Sequence, residues 1–128
     1  MRFLLDTHAF LWFIEGNARL SNTGKDHIED QSHDLLLSIA SLWEMAVKIS
    51  LGKLDLPQPF AEFMQSHLAL SAIGLLEISP QHTYAVADLP FHHRDPFDRL
   101  LAAQCLSDGL TLISSDGVFE KYGVERVW

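Results

Sequence analysis

The feature that most restricts the fold of this chain is a series of short, nearly all-apolar segments, each followed by a segment with helical spacing. Runs without polar alternation are typical of strands buried on both faces, as in parallel sheets covered by helices. Such runs occur at residues 3–5, 35–37, 73–78 and 110–113, with an edge strand expected at 124–127. The pattern therefore predicts an α/β fold with a central, mostly parallel sheet of about four or five strands, flanked by helices on both faces.

Helical spacing connects these strands, and helices are predicted at about residues 7–14, 21–32, 39–51, 60–70, 80–88 and 96–107. A chain of 128 residues with 48% hydrophobic residues suits one domain over residues 1–128. The single cysteine, Cys105, cannot form an internal disulfide, and no apolar stretch reaches bilayer length. We therefore expect a cytoplasmic protein with no membrane association.

Two aspartates come directly after predicted strands. Asp6 follows the first strand, and Asp116 follows the strand at residues 110–113. Ligands of open parallel sheets bind at the carboxyl ends of the strands, so both side chains are expected where chemistry occurs. The alternative is that each aspartate only caps the following helix or turns the chain.

Two further acids lie on predicted helices. Glu44 shares a narrow polar strip with Ser41 and Lys48 on a helix so apolar that it should be largely buried. The strip could also be a surface pair between Glu44 and Lys48, which are four residues apart. Asp98 falls within the core-facing stripe of its helix, where an unpaired carboxylate is costly, whereas Asp95 is well placed as the N-cap.

Convergence of these acids at one end of the sheet would require a cation or protonation, because like charges repel strongly in a low dielectric. Oxygen ligands favour Mg²⁺ or Mn²⁺, and such ions suit phosphoryl chemistry. The net charge of −8 argues against a protein that coats nucleic acid through bulk electrostatics, but not against an enzyme that reaches phosphates through a metal.

Four segments of the chain resemble a PIN domain, and more closely the VapC-type toxins of prokaryotic toxin–antitoxin pairs. They are residues 4–8 (LLDTH), 38–45 (SIASLWEM), 93–104 (HRDPFDRLLAAQ) and 114–116 (SSD). The resemblance implies a PIN-like fold and an Mg²⁺- or Mn²⁺-dependent endoribonuclease that hydrolyses RNA phosphodiester bonds. It also implies a homodimer and a cognate antitoxin whose C-terminal segment covers the active site.

The resemblance assigns roles to individual residues. The catalytic acids would be Asp6, Glu44, Asp98 and Asp116, with the metal held by Asp6, Asp98 and Asp116. Thr7 and Ser114 match hydroxyl residues that support such sites by hydrogen bonding, and Asp95 matches an acid of this subgroup. Candidate RNA contacts near the acids are Arg94, Arg99 and Lys48.

Other interpretations of the same residues remain open. The acids could serve a nuclease that acts on DNA or structured nucleic acid, since carboxylate–metal chemistry does not choose the sugar. They could also form a non-catalytic acidic pocket that receives an arginine of a partner. His8 and the pair His92 and His93 lack the spacing of a histidine metal site, so we expect them to be structural or surface residues.

Overall fold

The computed structural model describes residues 1–128, and its centre is one sheet in which every strand pair is parallel. The order across the sheet is β3-β2-β1-β4-β5. The predicted parallel α/β sheet is confirmed, with five strands. The strands are β1 (Arg2–Leu5), β2 (Asp34–Ser38), β3 (Ile73–Leu76), β4 (Thr111–Ile113) and β5 (Arg126–Val127).

Six α-helices connect the strands, close to the bounds predicted from spacing. They are α1 (Thr7–Glu15), α2 (Asn22–Glu29), α3 (Ile39–Ser50), α4 (Phe60–Leu70), α5 (Pro80–Asp88) and α6 (Pro96–Asp108). A 3-10 helix, Gly117–Tyr122, follows β4 and was not predicted from the sequence. None of the helices is both long and apolar enough to cross a membrane.

The sheet separates two hydrophobic clusters, as expected for strands buried on both faces. Phe3 and Leu5 of β1 point into a larger cluster that includes residues of α1, α2, α3 and α4. Leu4, between them, points to the other face, where it packs with residues of α6 and the 3-10 helix. Because all three side chains are fully buried, β1 is the central strand of the core.

The strand order creates a switch point between β1 and β4. The chain runs from β1 outward to β2 and β3, and then returns to β4 on the opposite side of β1. The backbone N–H of Asp6 donates to the carbonyl of Ile113 at 3.1 Å, so the two strand ends lie side by side. Connections diverge at such a point and leave room for a ligand.

Helix α3 is buried or partly buried at all of its residues except Trp43 and Ser50, which are exposed. Its buried residues are confined to Ala40, Ser41, Glu44 and Met45. Trp43 is 61% exposed on the opposite side of the helix, and Leu51, which caps it, is 62% exposed. The apolar side chain of Trp43 therefore remains mostly exposed, with Phe97 of α6 in contact with its ring.

Candidate active site

An acidic cleft of about 200 Å³ opens at the carboxyl edge of the sheet. Its carboxylates come from four separate segments: the end of β1, the middle of α3, the start of α6 and the loop after β4. Only one of the lining residues is hydrophobic. The cleft is lined by Asp6, Thr7, His8, Glu44, Lys48, Asp95, Asp98, Ser115, Asp116 and Phe119.

Asp6 and Asp116 each cap a helix and also line the cleft. Capping a helix is therefore compatible with a place in the cleft. Asp6 Oδ1 accepts the backbone N–H of Ala9 at 2.7 Å at the start of α1. Asp116 Oδ1 accepts the backbone N–H of Val118 at 2.9 Å at the start of the 3-10 helix. These bonds fix one oxygen of each carboxylate, and the partial positive charge of the helix start favours the anion.

Glu44 is buried and held at both oxygens. Thr7 Oγ1 lies 2.7 Å from Glu44 Oε1 and 2.9 Å from Ser41 Oγ. Lys48 Nζ donates to Glu44 Oε2 at 2.9 Å, so the anticipated pair between residues four apart is real. The pair lies inside the cleft rather than on a separate surface, because Glu44 and Lys48 both line it.

The start of α6 carries two acids with different environments. Asp95 is exposed and is the N-cap, with Oδ1 accepting the backbone N–H groups of Phe97 at 2.7 Å and Asp98 at 3.4 Å. Pro96 follows as the first helical residue, where its missing N–H costs nothing. Asp98 is half-buried and lines the cleft, as its position in the core-facing stripe predicted.

Burial and mutual repulsion raise the proton affinity of two of these acids. Burial raises the pKa of Asp6, and the nearby Glu44 adds to this, although the Ser114 hydroxyl, the Ala9 N–H and His8 oppose it. Burial also raises the pKa of Asp98 to about 6, with further increases from Asp95, Glu44 and Asp116. The carboxylates are therefore near enough to feel one another, and the cleft favours a cation or a proton.

Asp116 behaves in the opposite way. Its partial burial raises the pKa, but hydrogen bonds from His93 and the Val118 N–H, with the charges of His93 and Arg126, lower it more. The net result is a pKa below the usual value for aspartate. Asp116 is therefore the acid of this group that is best prepared to stay ionised.

His93 is a cleft-side residue that the sequence interpretation missed. Its Nε2 lies 2.7 Å from Asp116 Oδ2, and its side chain is 10% exposed. Potential ligand atoms of His93, Asp98 and Asp116 all lie within 4.8 Å of one another. The predicted metal ligands were Asp6, Asp98 and Asp116, so this group has His93 in place of Asp6. In the sequence, only the position of His93 two residues before Asp95 indicated that it lies near the acids. Spacing rules for histidine metal sites do not identify a single histidine of this kind.

The donor set fits a hard divalent cation. Carboxylate oxygens dominate the cleft, and burial, with the charges of neighbouring carboxylates, raises the pKa of Asp6 and Asp98, so a bound cation would favour their ionised forms. Hard divalent cations prefer such oxygen donors, so the residues present fit a cation of that class.

Ser114 and the candidate RNA contacts take different positions. The buried Ser114 accepts the backbone N–H of Asp116 at 3.1 Å and so orders the loop after β4. Lys48 lines the cleft, and Arg94 is exposed between His93 and Asp95.

Arg99 does not fit its predicted role as an RNA contact. It is buried, and its guanidinium donates to the carbonyls of Val86, Leu89 and Pro90 at 3.0–3.3 Å. The same group lies over the ring of Phe91, 4.1 Å from its centroid. Arg99 thus fastens the loop between α5 and α6 to the helix, and these contacts leave it unavailable to a phosphate.

Comparison with known proteins matches this fold and sequence to one family. The model of the PIN domain family matches residues 3–125. Ribonuclease VapC16 of Mycobacterium tuberculosis (strain ATCC 25618 / H37Rv) is 34% identical over 56 residues, which are 44% of this chain and 40% of that protein. The match therefore spans about two-fifths of the length of this curated relative.

Solved structures of low sequence identity share the architecture. A chain in the crystal structure of VapBC2 from Rickettsia felis, bound to a DNA fragment from their promoter, has a TM-score of 0.73 and 14% identity, covering 99% of this chain and 98% of that one. A chain in the crystal structure of DNA-bound VapBC from Salmonella typhimurium has a TM-score of 0.72 and 16% identity, covering 99% of this chain and 97% of that one. These similarities establish the fold.

Proposed function

The chain belongs to the PIN domain family, and we propose that it is an Mg²⁺- or Mn²⁺-dependent endoribonuclease that acts as the toxin of a toxin–antitoxin pair. The observation that carries this proposal is the convergence of carboxylates from four segments in one cleft at the sheet's switch point. The similarity to a protein named Ribonuclease VapC16 supports RNA as the substrate.

Asp6, Asp98 and Asp116 would hold the metal ion. When bound, a divalent cation polarises the phosphate, lowers the pKa of water and stabilises charge on the leaving oxygen. Asp116 is ionised at neutral pH, whereas Asp6 and Asp98 release their protons less readily because they are buried. Counter-charge in the cleft would therefore lower the pKa of Asp6 and Asp98 and favour the ionised form of all three acids.

Glu44 would accept the proton of the attacking water. Thr7 holds Oε1 and Lys48 holds Oε2, so the carboxylate has a fixed orientation and retains lone pairs that face the cleft. Lys48 also brings a positive charge to the mouth of an otherwise acidic cleft, where it can contact a phosphate of the RNA.

The test is cleavage of RNA and DNA, side by side, by purified protein with Mg²⁺, with Mn²⁺ and with EDTA. RNA cleavage that requires the metal is expected, and Asp6→Asn should abolish it while the circular dichroism spectrum stays native. Cleavage by Asp6→Asn at the wild-type rate would contradict the site. Metal-dependent cleavage of DNA alone would instead support the alternative nuclease.

A homodimer is supported by an apolar patch beside the cleft. Trp43 of α3 and Phe97 of α6 pack edge to face at 5.2 Å, next to Val86, Pro96 and Leu100 around a groove of about 230 Å³. Trp43 and Phe97 lie on the same two helices as the cleft acids Glu44 and Asp98, so the patch and the cleft are built on shared elements. Exposed apolar patches of this kind mark interaction surfaces.

Sedimentation analysis tests the dimer. The wild type is expected to dimerise, and Trp43→Arg is expected to be monomeric with an unchanged fold, because Trp43 is mostly exposed in the monomer. A wild-type protein that remains monomeric at high concentration would contradict this assignment.

An antitoxin partner is supported by the neighbours with solved structures, which are described as VapBC, and by the acidity of the cleft. We infer that the antitoxin covers the cleft with a segment that carries positive charge. Co-expression with the product of an adjacent small open reading frame should yield a complex without RNase activity. Full activity of such a complex would contradict the inference.

A further inference from the structure

His93 occupies a site in which every polar atom of its side chain has a partner. The ring lies between Tyr122, stacked at 5.5 Å between centroids, and the buried Phe119 at 4.7 Å. Nδ1 lies 2.9 Å from the hydroxyl oxygen of Tyr122, and Nε2 lies 2.7 Å from Asp116 Oδ2. The backbone N–H of His93 also donates to the Tyr122 oxygen at 2.8 Å.

The hydrogen bonds around His93 determine which ring nitrogen carries the proton. Asp116 Oδ2 belongs to an ionised carboxylate that can only accept, so Nε2, 2.7 Å away, is a donor. In the neutral imidazole Nδ1 is then an acceptor, and the Tyr122 hydroxyl, whose oxygen accepts the backbone N–H of His93, can donate to it at 2.9 Å. The ring proton of the neutral imidazole therefore lies on Nε2, which donates to Asp116.

In this tautomer, direct metal binding by His93 would cost the Nε2 proton and the hydrogen bond to Asp116. A protonated Nε2 has no lone pair to offer, although its position within 4.8 Å of Asp98 and Asp116 would suit a ligand. Asp116, by contrast, receives one hydrogen bond at each oxygen, from Val118 at Oδ1 and from His93 at Oδ2. Each oxygen keeps a free lone pair, and the two donors fix the plane of the carboxylate.

We propose that His93 is a positioning residue that orients Asp116 for metal binding through its Nε2–H, with Tyr122 fixing the tautomer, and that His93 is not a metal ligand. The inference rests on the proposed function, since it assumes that Asp116 holds the metal. Outer partners of this kind tune metal sites, and their loss commonly lowers metal affinity or activity by about 10- to 100-fold.

The tautomer is measured first, on metal-free wild-type protein without RNA. Long-range ¹H–¹⁵N NMR spectra should show His93 as the Nε2–H form, and Tyr122→Phe should shift it towards a mixture because the donor to Nδ1 is gone. Tyr122→Phe keeps the aromatic stack, so a change in tautomer reports on the hydroxyl alone. An Nδ1–H form in the wild type would overturn the proposal.

Metal binding is measured next, with Mn²⁺ as the probe. His93→Ala should weaken Mn²⁺ affinity about 10- to 100-fold, and His93→Gln, whose amide can still donate to Asp116, should recover most of it. In RNA cleavage, His93→Ala should lower kcat at saturating RNA with little change in KM. The matched control is His67→Gln, on α4 and outside the cleft, which should leave all these values unchanged.

Electron spin-echo spectra of bound Mn²⁺ separate this proposal from the alternative. No directly coordinated nitrogen is expected, and a nitrogen signal that disappears in His93→Gln would overturn the positioning role. Equal losses of affinity in His93→Ala and His93→Gln would also contradict it. A wild-type protein that neither binds Mn²⁺ nor cleaves RNA would refute the proposed function and this inference together, whereas a coordinated nitrogen in an active enzyme refutes this inference alone.

Discussion

The substitution Asp98→Asn separates the effect of the acidic cleft on folding stability from its role in metal binding. Burial and the charges of Asp95, Glu44 and Asp116 raise the pKa of Asp98 to about 6. An acid with a raised pKa binds its proton more tightly in the folded state, so its ionisation destabilises the fold. Asparagine keeps the size of the side chain and removes the charge. We therefore expect metal-free Asp98→Asn to be more stable than the wild type at neutral pH.

The expected gain follows from the pKa. A rise from 3.8 to about 6, at about 1.4 kcal/mol per pKa unit, gives an upper limit of about 3 kcal/mol. Asp98 is partly exposed, and screening by solvent reduces this to about 1–2 kcal/mol. For a domain of this size, the melting temperature should rise by about 3–10 °C.

The assay is urea unfolding in EDTA at pH 7.5 and pH 4.5, followed by thermal melts with and without MnCl₂. The advantage of Asp98→Asn should be full at pH 7.5 and should shrink as the pH falls through about 6 towards 3.8, because the wild-type Asp98 then takes up its proton. With Mn²⁺ the order should reverse, since only the wild type keeps the full set of ligands.

Asp55→Asn is the matched control, because Asp55 is exposed and lies outside the cleft. Its stability should equal that of the wild type at both pH values, with or without Mn²⁺. The reasoning fails if Asp98→Asn gives no stabilisation at pH 7.5, or if its gain is the same at both pH values.

Three other substitutions test separate parts of the structure. Asp116→Asn should destabilise the metal-free protein, because a lowered pKa means that the ionised form of Asp116 stabilises the fold above pH 3.8. Urea unfolding at pH 7.5 should therefore show a lower free energy of unfolding than that of the wild type. Thr7→Val removes the hydroxyl beside Glu44 and should destabilise the fold by about 1–3 kcal/mol, with reduced RNA cleavage; an unchanged urea midpoint would contradict this role of the hydroxyl. Leu101→Ala empties a fully packed position of α6 and should cost about 2–5 kcal/mol by urea unfolding.

The sequence was sufficient for the elements and for much of the cleft. Apolar runs such as residues 3–5 and 35–37 predict buried strands because the period of burial is local. The rule that ligands bind at strand ends then places Asp6 and Asp116 at one edge. Asp98 could be assigned to the cleft because an unpaired carboxylate in a core-facing stripe is costly to bury unless it meets a cation or a polar site.

Two features of α3 and α6 could not be read in this way. Helical spacing shows that Trp43 and Arg99 lie on particular faces, but it does not show what those faces meet. Trp43 stays 61% exposed because Phe97 of α6 contacts its ring but does not cover it. Arg99, whose charge suits an RNA contact, instead donates to the carbonyls of Val86 at the end of α5 and of Leu89 and Pro90 in the loop that follows.

The linear order of residues thus determined which segments form the sheet, which acids end its strands and which metal class those acids suit. Only the folded arrangement decided that His93 meets Asp116 and Tyr122, residues 23 and 29 positions away in the chain. The physical reason is range: periodicity, capping and turn chemistry act over a few residues, whereas a hydrogen-bond network around a carboxylate depends on how distant loops close over the sheet.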